Sequence, residues 1–461
     1  MMRITGFPDL SGEGLAALDA AAGAIKATLT RFGYAHAAPP IVEAGEPFLE
    51  LSGEEIRARL YGLDDPEGEA LVLRPDLTIP MCRMMLRAGW RGEGVARVGY
   101  VGPVFRYAPG AETLRQFTQG GAECLGPLEP ALADAEIITM AMAAAAAAGV
   151  RGGKLVVGDA SLFAHVLAQL PLSPQARQRL ASGSLDDAEA TRAAPEIAGL
   201  STQLAAMDIE AATAMVGAFM RSTGISAVGQ RPINDIVARL VAKARAADVV
   251  PDSARAIIGD YLAIDCALTD APRQLLRFFS AHGLSGTDAV AALRHRIQLI
   301  ETLGGDLSRA RFRAGLKLSI AYYTGIVFEI IADKRQICGG GRYNRMLHSL
   351  DPSIDAQAVG FAIGLEAAVM AAGVSLAAQT PIASCDVAVI LNGGEAILAA
   401  NVATRLRAAG LSVHLTHDAR PSCRFTLAIE KDEAVIRAPG EKKSRRIALS
   451  NLEAFAREIR A

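Results

Sequence analysis

Three stretches carry residue types that can do chemistry together. The first is Arg74-Pro75-Asp76-Leu77-Thr78. An acidic side chain and a hydroxyl beside a strand can hold an ammonium group, but Asp ahead of an apolar run more commonly caps a helix. The second is Tyr100-Val101-Gly102-Pro103-Val104-Phe105-Arg106, followed by Arg115-Gln116-Phe117-Thr118-Gln119-Gly120-Gly121-Ala122-Glu123. Strand alternation puts Arg115, Phe117, Gln119, Gly121 and Glu123 on one face. Arg, Gln and Glu together are costly to bury unsatisfied, so this face lines a polar cavity or meets water. The third runs from Ala321-Tyr322-Tyr323-Thr324-Gly325 to Gly339-Gly340-Gly341-Arg342-Tyr343. Its glycines allow backbone to approach a ligand or another strand closely. A tight strand connection is the default reading of the triple glycine, because a phosphate cradle would need a helix start after it.

The elements that must position these residues follow from periodicity. Residues 12–32 have helical apolar spacing (Leu15, Leu18, Ala22, Ile25, Leu29), closed by Gly33. Strands are expected at 71–73, 96–106, 115–125 and 153–158, with a helix at 131–149. From about 160 to 310 the pattern is almost wholly helical and reads as an insertion between two strand-rich halves. Strands resume at 317–321, 325–331 and 358–363, and a helix runs from 364 to 372. After the linker Ser375 to Pro381 comes a small α/β unit with strands at 387–391, 412–415 and 425–429 and a helix at 394–409. A parallel crossover needs about a dozen residues. Only His417 to Arg424 separate the last two strands, so an antiparallel pair is expected, or one of the two strands leaves the sheet.

Composition narrows the class. Apolar residues make up 51% and charged residues 21%, which describes a globular chain. The formal net charge of -2 gives no basic excess for phosphate-backbone binding, and no nucleic-acid partner is expected. Lys442-Lys443-Ser444-Arg445-Arg446 is the one dense basic stretch and reads as a solvated loop before a strand. The six cysteines are scattered, with no Cys-x-x-Cys pair, which argues against a zinc site and a disulfide framework and for a reducing cytoplasm. The apolar run Ile137 to Val150 is too short to span a bilayer and reads as a buried helix, so no membrane association is expected.

In this order and spacing, residues 71–123 and 317–369 resemble the catalytic core of the histidyl-tRNA synthetases. The resemblance implies an α+β fold with a class II aminoacyl-tRNA-synthetase-like antiparallel sheet core over residues 1–374, including the helical insertion. Residues 382–461 resemble a reduced anticodon-binding domain, a small C-terminal α/β unit. Pro39 to Glu43 resembles the first motif of the class, which sits at a dimer interface. Residues 100–123 and 358–369 resemble the second and third motifs, and Tyr322-Tyr323 with Gly339 to Gly341 the histidine-specific ones.

The departures narrow the resemblance. Arg106 matches the arginine that contacts substrate carboxylate and α-phosphate. Leu318 and Ala367 stand where the synthetases have arginines for the transition state and for ATP phosphate, and Ala321 stands at an aspartate position. The loop Tyr107 to Ala111 is short and lacks the usual ATP-holding charges. Adenylyl transfer rests on positioned positive charge, and losing one such donor costs about 2.7–4 kcal/mol. Lys317, one residue before, is the alternative donor, and strand alternation would point it to the opposite face from position 318. The Asp76 cluster, Tyr322 to Glu329 and the helical stretch Ile233 to Ala244 are similar to the regulatory subunits of ATP phosphoribosyltransferase.

That family implies no catalysis, no cofactor and no metal. It implies a short-form catalytic phosphoribosyltransferase as partner, histidine as feedback effector, and self-dimerisation within a hetero-oligomer. The implied histidine pocket has Asp76 and Thr78 on the ammonium, Arg106 on the carboxylate, and Gln119, Glu123, Tyr322 and Tyr323 around the imidazole. The alternatives are a relic pocket with histidine sensed at a subunit interface, a histidine–tRNA ligase, or another amino-acid-activating paralogue.

Overall fold

The segment Ala358-Val359-Gly360-Phe361-Ala362-Ile363-Gly364 alternates small with large side chains, and this alternation organises the molecule. Side chains of a strand point to opposite faces in turn. Val359, Phe361 and Ile363 enter the main core, while Gly360, Ala362 and Gly364 leave the other face low. The computed structural model describes residues 4–51, 56–110, 113–181, 207–223, 237–238, 241, 250–316, 323–376, 385–391, 396–417, 423–438 and 443–460. The chain divides into two compact units, residues 1–377 and 378–461.

In the first unit the strands are β1 (Ala35–His36), β2 (Val42–Ala44), β3 (Tyr61–Asp64), β4 (Ala70–Leu73), β5 (Ala96–Phe105) and β6 (Gln116–Leu125). They continue with β7 (Lys154–Asp159), β8 (Asp265–Ala267), β9 (Arg311–Arg313), β10 (Ile326–Ala332), β11 (Arg335–Arg342) and β12 (Ala358–Gly364). Nine form one sheet in the order β1-β5-β6-β12-β11-β10-β7-β9-β8, and β2, β4 and β3 form a separate small sheet. The centre of the large sheet, from β5 to β7, is antiparallel throughout. The helices Gly12–Arg31 and Pro130–Ala147 cover one face, with Leu18, Ile25, Leu29, Ile137 and Ile138 buried against it. The helix Thr78–Arg87 contributes Met81, which packs with Leu77, Tyr100 and Val104 on the other side.

The helix Pro130–Ala147 starts where its chemistry requires. Pro130 has no N–H to satisfy at the first position, and the Glu129 carboxylate accepts from Ala131 N at 3.0 Å and Leu132 N at 2.5 Å. Its length and composition would fit a bilayer, but it lies 61% buried within the fold. Its Asp134 is tied to Arg296 and Arg342.

Two expectations for this unit need correction. The triple glycine is no connection: Gly339, Gly340 and Gly341 lie inside β11, paired to β10 on one side and β12 on the other. The region 160–310 is not wholly an insertion. Its strand β8 joins the main sheet, and the helices Asp252–Leu262, Ala271–Ala281 and Thr287–Thr302 contribute to the main core. Only the small cluster Ala212, Val237 and Val241 packs separately among the described residues. The strand expected at 317–321 and most of the stretch Ile233 to Ala244 fall outside the described residues.

The second unit has strands β13 (Cys385–Ile390), β14 (Val413–Thr416), β15 (Cys423–Glu430), β16 (Glu433–Arg437) and β17 (Arg445–Ala448), ordered β14-β13-β15-β16-β17. The antiparallel pairing expected for 412–415 and 425–429 is wrong: β14 and β15 flank β13, each parallel to it. The helices Ala396–Ala408 and Leu452–Arg460 bury Leu406 and Phe455 against Val387, Val389 and Leu427. The basic stretch is partnered: Arg445 pairs with Glu458 at 2.6 Å and Arg446 with Glu430 at 2.7 Å. The six cysteines are not all apart: the sheet brings one pair together. Cys385 and Cys423 face each other as a disulfide with Cα atoms 4.6 Å apart, beside His414. Three strands bring these residues together, so their spacing in sequence carried no short-range signal.

Candidate functional site

The small side chains of the lower face leave a cleft of about 530 Å³. Its floor is Gly339, Gly360, Ala362 and Gly364. Register explains why: Gly341, Gly360 and Glu123 lie side by side across β11, β12 and β6, and Gly339, Ala362 and Gly121 form the next row. A Cβ on Gly360 would collide with the Glu123 carboxylate.

Asp76 stands where the chain turns into the helix Thr78–Arg87. The loop before it is pinned by Arg74, whose guanidinium donates to Pro39 O at 2.5 Å, Pro40 O at 3.0 Å and Pro103 O at 2.8 Å. One carboxylate oxygen of Asp76 accepts from Ile79 N at 3.2 Å, which is the capping role. Its Oδ2 is buried without a partner among the described residues. Burial pushes the Asp76 carboxyl above its ordinary range, opposed by the nearby Arg106 guanidinium. Gln119 Oε1, from β6, is likewise buried without a partner.

Glu123 lies beneath the cleft rather than on its lining. Its Oε1 accepts from Thr78 Oγ1 at 2.8 Å and Tyr100 Oη at 3.0 Å, and its Oε2 accepts a short bond from Tyr343 Oη. Burial nonetheless pushes its carboxyl up to about 7, against the pull of the three hydroxyls. Arg106, at the end of β5, donates to Pro75 O at 2.6 Å and lies 5.5 Å from the centre of the Phe117 ring. Arg115 turns away instead, stacking 4.7 Å from the Tyr107 ring centre. At the far wall, Glu366 accepts from Thr118 N at 2.8 Å and Thr118 Oγ1 at 3.1 Å. Beside it Ala367 and Met370 line the cleft, with the Arg335 guanidinium 3.5 Å from Met370 Sδ.

Asp76, Thr78, Arg106, Gln119 and Tyr323 therefore line one cleft, with Glu123 under it. Tyr322, Leu318 and Ala321 lie outside the described residues. Sequence reasoning did not assign Tyr100 and Tyr343 to the site, although both hold Glu123. The register of β11 against β12 and β6 would have found Tyr343, and β5 against β6 would have found Tyr100.

The antiparallel sheet, helices on one face and an Arg106-bearing cleft on the other define a class II aminoacyl-tRNA-synthetase-like protein. The family model described as histidyl-tRNA synthetase matches residues 6–247 and 274–368. The fold is shared with a histidyl-tRNA synthetase from Nostoc sp. PCC 7120, at TM-score 0.65 and 17% identity over 100% of both chains. It is shared too with an ATP phosphoribosyltransferase regulatory subunit/histidyl-tRNA synthetase from Bacillus halodurans C, at TM-score 0.62 and 21% identity over 90% of this chain and 92% of the other. Within this class the sequence is 34% identical to the ATP phosphoribosyltransferase regulatory subunit of Rhizobium meliloti (strain 1021), over 76% of this chain and 96% of that one. The namesake from Sinorhizobium medicae (strain WSM419) is 33% identical over 72% and 92%. The chain belongs to the family of ATP phosphoribosyltransferase regulatory subunits.

Proposed function

We propose that this chain binds free histidine in the cleft, activates a short-form catalytic phosphoribosyltransferase, and transmits histidine inhibition to it. It performs no adenylation of its own. The observation that carries the reading is a pair of orphaned buried acceptors, Asp76 Oδ2 and Gln119 Oε1, in one cleft with the Arg106 guanidinium. An unsatisfied buried polar group costs about 1–3 kcal/mol, so a ligand bringing N–H donors recovers that cost. Opposite charges at Asp76 and Arg106 suit a zwitterion, with ammonium toward the first and carboxylate toward the second. Ala367 supplies no charge where the synthetases have an arginine, which favours a sensor over a ligase, although the Arg335 guanidinium lies beside Met370 in the same cleft.

Calorimetry of the full chain with histidine tests the pocket. Arg106→Ala and Asp76→Asn are each expected to weaken binding roughly ten- to hundredfold, the worth of a charge-assisted hydrogen bond. Unchanged affinity in both would move the histidine site to a subunit interface. Mixing the chain with a short-form catalytic subunit tests the wider role: a complex with raised phosphoribosyltransferase activity is expected. Neither complex nor activation would refute it, and histidine-dependent ATP–pyrophosphate exchange by the pure chain would establish a ligase instead. The coupling between histidine and partner activity is expected at about 1–3 kcal/mol. We assign self-dimerisation to the small sheet that follows Pro39.

A further inference from the structure

The second unit holds a ligand set that the cleft does not use and that lies beyond residue 368, where the family match ends. In β13 and β15, Cys385 and Cys423 are register partners and both are buried. From the other side of β13, His414 on β14 brings a ring nitrogen to the same point: the three ligand atoms lie within 4.8 Å of one another. The small Ala388, opposite His414 in register, packs against both cysteines. A disulfide alone has no use for the imidazole. Two thiolates and one imidazole, in contrast, form most of a tetrahedral site for a borderline-soft divalent ion. Two thiolates also cancel the charge of such an ion, and among the described residues the cluster includes no carboxylate to favour magnesium or calcium.

We infer that Cys385, Cys423 and His414 form a zinc-type site, open when the sulfurs are reduced and closed when they are joined. Tetrahedral bonding with zinc–sulfur distances of ~2.3 Å sets two sulfurs roughly 3.8 Å apart, which rotation about the Cα–Cβ bonds supplies. His414 is only half-buried, so the fourth position faces solvent and takes a water. A phosphine reductant opens the site: it breaks the S–S bond, becomes a phosphine oxide with oxygen from water, and leaves two thiols. Zinc binding then releases the two thiol protons to buffer.

The test uses the full chain, reduced with a phosphine, and cobalt(II) as spectroscopic probe, followed by zinc displacement against a chromophoric chelator. One equivalent of cobalt is expected to give a sulfur-to-metal charge-transfer band, absent without reductant and bleached by zinc. Cys423→Ser should abolish the band, and His414→Ala should weaken zinc binding by about tenfold or more. Circular dichroism of each variant checks that it folds. The four other cysteines, Cys82, Cys124, Cys266 and Cys338, provide the competing explanation. A band that survives in the Cys385→Ser, Cys423→Ser double variant, or zinc affinity indifferent to His414→Ala, would overturn the assignment.

Discussion

Glu123 shows how much one residue can set the chemistry of this cleft. Its carboxylate is fully enclosed, and three hydroxyls from Thr78, Tyr100 and Tyr343 offset only part of the desolvation. With a folded-state value of about 7 against an ordinary 4.5, the folded chain binds the extra proton in that interval. Stability from this group is therefore complete below the ordinary value and lost as pH rises through about 7. The loss is on the order of 3 kcal/mol. Burial raises Asp76 too, so it adds a slope of the same sign. Glu123→Gln should give a shallower decline of urea-unfolding free energy over that interval, not a flat one. An unchanged slope would show that Glu123 titrates normally.

At the scale of elements, the cleft depends on where β11 is anchored, and Arg342 at its end supplies that anchor. It is buried, and its guanidinium donates to Asp134 Oδ1 at 2.9 and 2.6 Å, Pro130 O at 2.9 Å and Gln357 Oε1 at 3.0 Å. It thus joins the strand carrying the glycine floor to the helix Pro130–Ala147, one residue before the Tyr343 that holds Glu123. Arg342→Met is expected to cost about 3 kcal/mol, the low end for breaking a buried ion pair, because Arg296 still faces Asp134 at 2.8 Å. Chemical denaturation measures it, and a cost below ~1 kcal/mol would make the clamp incidental. This strand was also the hardest element to read from sequence. It starts at a two-residue turn in which Asp333 and Lys334 both have positive φ, at 48° and 60°, without the glycine that usually announces such a turn. Its glycines then read as a break rather than as a strand. Elements with ordinary periodicity were legible: the helices from residue 12 and residue 130, and the strands β5, β6, β7, β10 and β12. So was the shared face of Gln119 and Glu123. What stayed hidden depends on pairing between distant strands: the hydroxyls around Glu123, the parallel placement of β14 and β15, and the meeting of Cys385, His414 and Cys423.

For the whole molecule, the small sheet β2-β4-β3 has two unlike faces. On one side Glu43 and Val72 are buried, and Glu43 pairs with Arg83 at 2.7 Å, tying the sheet to the helix beside the cleft. The opposite side carries Val42, Leu73 and Tyr61 in one register row and Ala44, Leu71 and Leu63 in the next. That face is apolar yet open: Val42 is 41% exposed, Leu63 37%, and the preceding Ile41 42%. Tyr61 is covered by Phe7 and Tyr107, and single exposed apolar residues are ordinary, but Val42, Ala44, Leu63, Leu71 and Leu73 together on one face suit a second copy of the chain. The resemblance of Pro39 to Glu43 to a dimer-forming motif points to the same surface. A self-associated pair would bring two copies of the Arg83–Glu43 link, and hence both clefts, close to one interface. Val42→Glu places a charge on this face at an already exposed position, so the single chain should melt as the parent does. Self-association should weaken at least about tenfold, equivalent to 1.4 kcal/mol. Sedimentation equilibrium of both proteins reads the change directly. If the variant's mass distribution matches the parent's at every concentration, the subunits meet elsewhere.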